Sequence, residues 1–210
     1  MAEELVFYTN PRSRGRMVRW MLEEVGAPYR TEVLDYATSM KADAYRAINP
    51  MMKVPAITRG AAVVTEVAAI CAYLADTFPD AGLAPEPGNR SAYYRWLFFS
   101  SGCVEPAIVN ASLGFVPPSE KRALVGYASL AETLDALETA VAGREFIAGD
   151  RFSAADVYVG AQIGFGLAFG AIKDRPVLAG YAARHRDRPA AIRARELDDA
   201  LLPEDMRGKM

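Results

Sequence analysis

The chain has 210 residues, of which 51% are hydrophobic and 24% are charged, and its formal net charge is −2. This composition is typical of a globular protein and argues against an intrinsically disordered chain. A net charge so close to zero offers no basic surface for binding by counterion release, so we expect no nucleic-acid partner.

The chain opens with a strand, a helix and a second strand. A short β-rich run, ELVFYT, precedes PRSRGRMVRWMLEEVG, in which Val18, Met21 and Val25 recur at helical spacing. Gly26 is expected to end this helix, and YRTEVLDY reads as the next strand. The pattern predicts a βαβ unit with parallel strands and a right-handed crossover.

A hairpin and two more helices complete this part of the chain. The segment ADAYRAINP is a short helix that Pro50 stops, and the strands VPAIT and AAVVT are separated by Arg59 and Gly60. The segment EVAAICAYLADTF is a helix. The order βαβαββα predicts an α/β domain over residues 1–78.

The remainder of the chain is predicted to be helical. Residues 79–90, PDAGLAPEPGNR, are rich in proline and glycine and are the best candidate for a linker. One long helix is expected over SAYYRWLFFSSGCVEPAIVNAS. A second is expected to bury Leu124, Leu134 and Leu137 on one apolar face. Residues 91–210 are therefore predicted to form an all-α domain.

Cysteine and hydropathy patterns exclude several classes of protein. Cys71 and Cys103 are far apart and lack CxxC or metal-ligand spacing, so we expect neither a disulfide framework nor a metal site. The longest apolar run, from Val157, has about 16 residues and is too short to span a bilayer. Without a visible export signal, the cytoplasm is the expected location, and no membrane partner is expected.

Pro55 stands where an extended run begins, although proline cannot donate a hydrogen bond to a sheet. Val54 and Pro55 must therefore lie at a strand start, at an edge or in a turn. This placement predicts exposed backbone groups that another molecule can use.

The order of these elements and several motifs resemble the cytosolic glutathione transferases over nearly the whole chain. The motifs are YTNPRSRGRMVRWMLEE, MKVPAI, TEVAAICAYLAD and FIAGDRFSAADVYVG. Each motif is weak alone, but their order and spacing are specific. The resemblance implies a thioredoxin-like first domain that binds glutathione and a helical domain that holds the electrophile. It also implies a homodimer, glutathione as co-substrate and no metal.

The resemblance also implies which residues bind glutathione. Pro55 would follow a cis peptide bond, and Val54 would pair its backbone with the cysteinyl unit of glutathione like an added strand. Thr65 and Glu66 lie at a helix N-terminus, which attracts the glutamyl carboxylate, and Glu66 would hold the ligand's amino group. Val67 stands where the family has a serine, so one hydroxyl donor is missing.

Two further roles are less constrained by the sequence. Lys53 is a candidate partner for a ligand carboxylate, although lysines usually lie in solvent. Ser13 is our candidate for stabilising the glutathione thiolate, with Tyr8 as the alternative; a plain helix cap for Ser13 and a core position for Tyr8 are the simpler interpretations. A serine in this role would make the chain a serine-type or unclassified bacterial member of the family.

The sequence also predicts structural roles for three residues and allows three functions to be compared. Ser153 and Asp156 form a capping pattern, and His185 is expected at the surface or at a helix end. The leading function is a glutathione transferase acting on a small hydrophobic electrophile, with peroxide reduction as a possible side activity. The alternative is a non-catalytic glutathione-binding or scaffold protein of the same fold. A dithiol oxidoreductase is disfavoured by the missing CxxC.

Overall fold

The computed structural model describes residues 3–207, and its first unit contains a four-stranded mixed sheet. The strands are β1 (Leu5–Thr9), β2 (Arg30–Val33), β3 (Ala56–Arg59) and β4 (Ala62–Thr65). Their order in the sheet is β2-β1-β3-β4, with β1 parallel to β2 and β3 antiparallel to both β1 and β4. The predicted thioredoxin-like fold class is confirmed.

Three helices follow the predicted strands: α1 (Gly15–Val25), α2 (Asp43–Arg46) and α3 (Val67–Thr77). Gly26 ends α1 in the left-handed conformation, with φ of 70°, and its N–H donates to the carbonyl of Leu22. Glycine adopts this conformation without a steric cost, so it closes the helix as predicted.

The last helix, α9 (Pro189–Ala200), belongs to the first unit, where it packs against α1. The first unit ends at Gly82 and includes the chain from Pro189 onwards, whereas the second unit is Leu83–Arg188. This division differs from the expected domains of residues 1–78 and 91–210. The physical reason is that α9 carries Asp198, which forms a buried ion pair with Arg19 of α1.

The second unit is helical, as predicted. Its helices are α4 (Ser91–Phe99), α5 (Glu105–Ser112), α6 (Leu130–Val141), α7 (Ala154–Ala168) and α8 (Pro176–Arg186). The single long helix expected from residue 91 is interrupted by a π-helical turn, Ser100–Val104, between α4 and α5. Among residues 3–207, no helix is long and apolar enough to cross a membrane.

The N-terminal caps of α6 and α7 confirm one prediction from the sequence and correct another. Ser153 and Asp156 form the predicted capping box at the start of α7. The expectation that Leu124 belongs to the apolar face of α6 is wrong. Ser129 caps α6 by accepting from the N–H of Glu132, so the helix begins after Leu124, which is 82% exposed.

His185, the only histidine in the chain, lies in the last turn of α8, as one of the two expectations had it, but it is buried rather than at the surface. Its ring packs against Phe146, Phe152 and Tyr181. Its Nε2 lies 3.1 Å from the carbonyl oxygen of Glu145, to which an N–H at that position donates. Burial lowers the pKa of His185 from its ordinary value.

We predict that protonation of His185 destabilises the protein in mild acid. The folded-state pKa lies below that of the unfolded chain, so stability present above about pH 6.5 is lost as the pH falls towards the folded-state pKa. His185→Gln keeps a donor for the Glu145 carbonyl but does not titrate. Melting temperatures at about pH 7.5 and about pH 5 should show that the wild type loses more stability than the variant. An equal loss would contradict the prediction.

Candidate functional site

One row of paired residues brings the predicted site segments to the same edge of the sheet. Tyr8 of β1 pairs with Ala56 of β3, and Ala56 pairs with Thr65 of β4. Because β3 runs opposite to its neighbours, its start lies beside the ends of β1 and β4. Val54 and Pro55 therefore lie at the edge where β4 leads into Glu66.

Val54 and Pro55 precede β3 as predicted, and the peptide bond between them is cis. Pro55 is buried and Val54 is half-buried. Within residues 3–207, neither the N–H nor the carbonyl of Val54 forms a backbone hydrogen bond. The residue therefore presents one donor and one acceptor to a strand-like ligand, which is the arrangement used when a peptide adds to a sheet edge.

The segment before Val54 is held by two donors that the sequence analysis did not identify. The carbonyl of Lys53 accepts from Tyr45 Oη at 2.6 Å and from Asn49 Nδ2 at 2.8 Å. Burial raises the pKa of Tyr45 to about 12, so the phenol stays neutral and keeps its proton. In the sequence, Asn49 is only the residue before the Pro50 that stops a short helix, so its contact with Lys53 could not be predicted there.

The Lys53 side chain is exposed, and within the described part of the chain it forms no ion pair. Its ammonium group therefore remains available to a ligand carboxylate. The backbone of the same residue is fixed by Tyr45, so the side chain starts from a well-defined position. These observations are compatible with the predicted role of Lys53.

Tyr8 is half-buried and belongs to the sheet face that α2 covers. Its ring centroid lies 5.6 Å from that of Tyr45, and it packs with Val54 against a small apolar cluster that includes Leu34 and Met40. Over residues 3–207, its hydroxyl group forms no hydrogen bond. The ring of Tyr8 is therefore packed as a core aromatic, as the simpler interpretation proposed, whereas its hydroxyl group can still donate to a ligand.

The end of β4 and the start of α3 form the second half of the edge. Thr65 is half-buried, and Val67, the first residue of α3, buries its side chain. The exposed Glu66 between them has φ of 67° and ψ of 124°, a backbone conformation that costs about 1–3 kcal/mol for a residue with a side chain. Such residues cluster at ligand sites, and this exposed residue directly precedes α3, whose first N–H groups lack intrahelical acceptors.

The turn between β1 and α1 holds Ser13 in a local hydrogen-bond network. Ser13 Oγ donates to the carbonyl of Asn10 at 2.7 Å and accepts from the N–H of Gly15 at 2.9 Å. Asn10 in turn donates from Nδ2 to the carbonyl of Leu34 at 2.8 Å. The hydroxyl proton that a thiolate would need is thus directed at the Asn10 carbonyl. Ser13 stabilises the turn before α1, but the N-cap position of that helix is Arg14, so Ser13 is not the plain N-cap of the simpler interpretation.

Gly15 is required by close packing at this turn. A Cβ atom at position 15 would lie 1.9 Å from Thr9 Oγ1, and Thr9 is fully buried at the end of β1. No side chain larger than hydrogen fits without displacing one of the two. The first turn of α1 is therefore tightly fixed to the end of β1.

Tyr36, which the sequence analysis also missed, covers the same turn. Its Oη donates to the carbonyl of Arg12 at 3.3 Å, and the Arg12 guanidinium lies 5.8 Å from the centre of its ring. Burial raises the pKa of Tyr36, so its hydroxyl stays protonated beside Ser13. Of the three arginines near the turn, Arg12 is exposed, whereas Arg16 is largely buried.

The described residues contain no group of three or more His, Cys, Asp or Glu side chains placed to hold a metal ion. Cys71 is fully buried within α3, and burial raises the pKa of its thiol to about 12. A neutral, inaccessible thiol is a poor nucleophile. Among the polar side chains at this edge, Glu66 and Lys53 are exposed, and Ser13 and Tyr8 are half-buried.

A thioredoxin-like sheet with an open backbone position and a helix N-terminus at one edge defines a class of thiol- or peptide-binding proteins. Comparison with known sequences narrows the class. Residues 13–77 match the family model of the glutathione S-transferase N-terminal domain. Glutathione S-transferase 3 of Schizosaccharomyces pombe is 28% identical over 109 residues, which are 50% of this chain and 44% of that protein. The match thus spans less than half of that relative.

Solved structures cover almost the whole chain. A sphingomonad glutathione S-transferase is 32% identical, with a TM-score of 0.75, over 92% of this chain and 98% of its own. The beta class enzyme of Sphingomonas chungbukensis is 30% identical with the same TM-score and coverage. This chain belongs to the glutathione S-transferase family.

Proposed function

We propose that the chain is a glutathione transferase whose first unit binds glutathione at the edge formed by Val54, Pro55 and Glu66. The observation that carries the proposal is the open backbone N–H and carbonyl of Val54, placed beside the N-terminus of α3 by the sheet register. The sphingomonad relative was solved in complex with glutathione, which supports this choice of ligand.

Each part of glutathione has a chemically matched partner at this edge. The cysteinyl backbone pairs with Val54 as an added strand. The glutamyl carboxylate lies at the N-terminus of α3, where unpaired N–H groups favour an anion. Glu66 binds the ligand ammonium group, and Lys53 binds the remaining carboxylate. Val67 supplies no hydroxyl, which we expect to cost about 0.5–1.5 kcal/mol of affinity relative to a serine at that position.

The glutathione thiol must lose its proton to react, and Ser13 is our candidate for stabilising the thiolate. A free thiol has a pKa near 8.5, so a donor that prefers the anion raises the reactive fraction at neutral pH. Ser13 can serve only if its hydroxyl turns from the Asn10 carbonyl to the sulfur. Tyr8 is the alternative, since its hydroxyl proton has no competing acceptor in residues 3–207.

The second unit supplies the electrophile site in this proposal, and the protein acts in the cytoplasm as a homodimer. Conjugation to a small hydrophobic electrophile is the main reaction, and reduction of a peroxide uses the same thiolate. The weakened serine position at Val67 and the committed hydroxyl of Ser13 favour one competing function, a glutathione-binding scaffold without turnover. Glutathione-dependent turnover of a generic aryl halide distinguishes the two.

Light scattering tests the predicted assembly. At micromolar concentration we expect the mass of two chains, because most soluble oligomers are symmetric dimers and the family resemblance implies one. The mass of one chain, unchanged on adding glutathione, would reject the dimer without affecting the proposed chemistry.

Glu66→Ala should weaken glutathione binding by about 1.5–3 kcal/mol, because it removes a charge-assisted contact with the ligand ammonium group. Asp80→Ala is the matched control, since it removes the same charge from an exposed position beyond the opposite end of α3. Isothermal titration calorimetry should show a loss in the first variant only. Equal affinities in both variants would reject the role of Glu66.

Ser13→Ala should raise the apparent thiol pKa of bound glutathione and slow conjugation about ten- to a hundredfold, because a hydrogen bond to a charged acceptor is worth about 1.5–3 kcal/mol. Tyr8→Phe should do much less. Ser13→Thr is the control, because it keeps a hydroxyl for both the turn and the sulfur. Thiolate absorbance in the ultraviolet, followed across pH, measures the effect. A raised pKa in Tyr8→Phe with no change in Ser13→Ala would transfer the role to Tyr8.

A further inference from the structure

The last turn of α9 carries two adjacent carboxylates, Asp198 and Asp199, which lie at the helix end where the macrodipole disfavours negative charge. No basic residue in that turn offsets them. Acidic residues placed against the local rule indicate a tertiary role. Both carboxylates pair with arginines of α1: Asp198 with Arg19, and Asp199 with Arg16.

The two pairs differ in what they fix. Asp198 and Arg19 are almost completely buried, and Arg19 also donates to Tyr29 Oη and Thr31 Oγ1 of two half-buried residues. This pair holds α9 against α1 and β2. The other hydrogen bonds of Arg19 lead to Tyr29 and Thr31 rather than to the turn that contains Ser13.

The second pair reaches the turn that contains Ser13. Arg16 donates from its NH2 group to Asp199 Oδ1 at 2.6 Å and from Nε to the carbonyl of Pro11 at 2.6 Å. The Arg16 side chain is 9% exposed, so its position is set by these two acceptors rather than by water. Asp199 is thereby connected through one planar guanidinium to the backbone two residues before Ser13.

We infer that Asp199 is a positioning residue for the thiol-activating turn: through Arg16 it fixes the Pro11 carbonyl, and with it the orientation of Ser13. The inference rests on the proposed function for its catalytic meaning. Asn10 holds the β1 end of the turn by its bond to Leu34, and Arg16 holds the opposite side. A donor that must meet a sulfur at hydrogen-bond distance loses effect when its backbone shifts by a fraction of an ångström.

Removing Asp199 has a second, electrostatic consequence. Arg16 would keep its charge while losing its carboxylate partner in a largely buried position. The guanidinium would then turn towards solvent or towards another anion, and its bond to the Pro11 carbonyl would weaken. Turn geometry and the charge near the thiolate would therefore change together.

The test compares Asp199→Ala with Arg193→Ala, because each variant truncates one residue of α9 and breaks one ion pair with α1. Arg193 pairs with Glu23, near the C-terminal end of α1 and away from the turn. Alanine is the best helix former, so neither substitution lowers the helix propensity of α9. Asp199→Glu, which keeps a carboxylate, is the rescue variant.

Two measurements are made on the full-length protein. Amide hydrogen exchange at Ser13 and Gly15 reports the turn itself, and we expect about tenfold faster exchange in Asp199→Ala and less than twofold in Arg193→Ala. The second is the thiol pKa of bound glutathione with kcat/KM for conjugation. We expect kcat/KM to fall about tenfold in Asp199→Ala, with a raised thiol pKa and partial recovery in Asp199→Glu.

Equal exchange at Ser13 and Gly15 in the two alanine variants overturns the inference. Faster exchange in Asp199→Ala with an unchanged thiol pKa and unchanged kcat/KM overturns its catalytic part. If the wild type neither binds nor turns over glutathione, the proposed function fails, and the exchange comparison alone decides whether Asp199 positions the turn.

Discussion

The pairing of Ala56 with Tyr8 on one side and Thr65 on the other is the contact on which the rest of the site depends. It sets β3 antiparallel between β1 and β4, so the start of one strand lies beside the ends of two others. A shift of the register by one residue would turn every side chain of β3 to the opposite face. It would also move Val54 away from Glu66, so that the open backbone of Val54 and the N-terminus of α3 would no longer lie side by side.

The two sides of this edge are held by different kinds of interaction. Hydrogen bonds from Tyr45 and Asn49 hold the Lys53 carbonyl, and a steric limit at Gly15 holds the first turn of α1. The Val54 backbone groups next to Lys53 stay open to a ligand, whereas Gly15 itself is buried. A ligand that binds such an edge loses little free energy in ordering the protein, which is the benefit of a pre-organised site.

Local chemistry made part of the fold predictable. Gly26 and Gly60, both with positive φ, ended the segments that the sequence pattern indicated, and Ser153 with Asp156 formed the expected capping box. These features depend on neighbours within a few residues. Pro55 was also informative, because a residue without an N–H restricts where a strand can begin.

The remaining features depend on residues that are distant in sequence. The place of His185 near a helix end was predictable, but its burial depends on Phe146, Phe152 and Tyr181, which pack around its ring. The membership of α9 in the first unit depends on ion pairs that span 179 and 183 residues. The apolar periodicity of α9 does not predict these ion pairs. The only local indication is the pair of acidic residues at the C-terminus of α9, where the helix dipole disfavours negative charge.

The hydrogen bond of the Ser13 hydroxyl group also depends on residues that are distant in sequence. Its position at the start of a helix was predictable, but the choice of hydrogen-bond acceptor follows from the orientation of the Asn10 carbonyl, which the Leu34 contact sets.

The structure of the protein crystallised with glutathione tests most directly the claim that glutathione binds beside Val54 and the N-terminus of α3. We predict cysteinyl N–H and carbonyl groups about 3 Å from the Val54 carbonyl and N–H, with the glutamyl carboxylate at the N-terminus of α3. Glutathione ordered at any other place, or Val54 left unpaired in the complex, would contradict it.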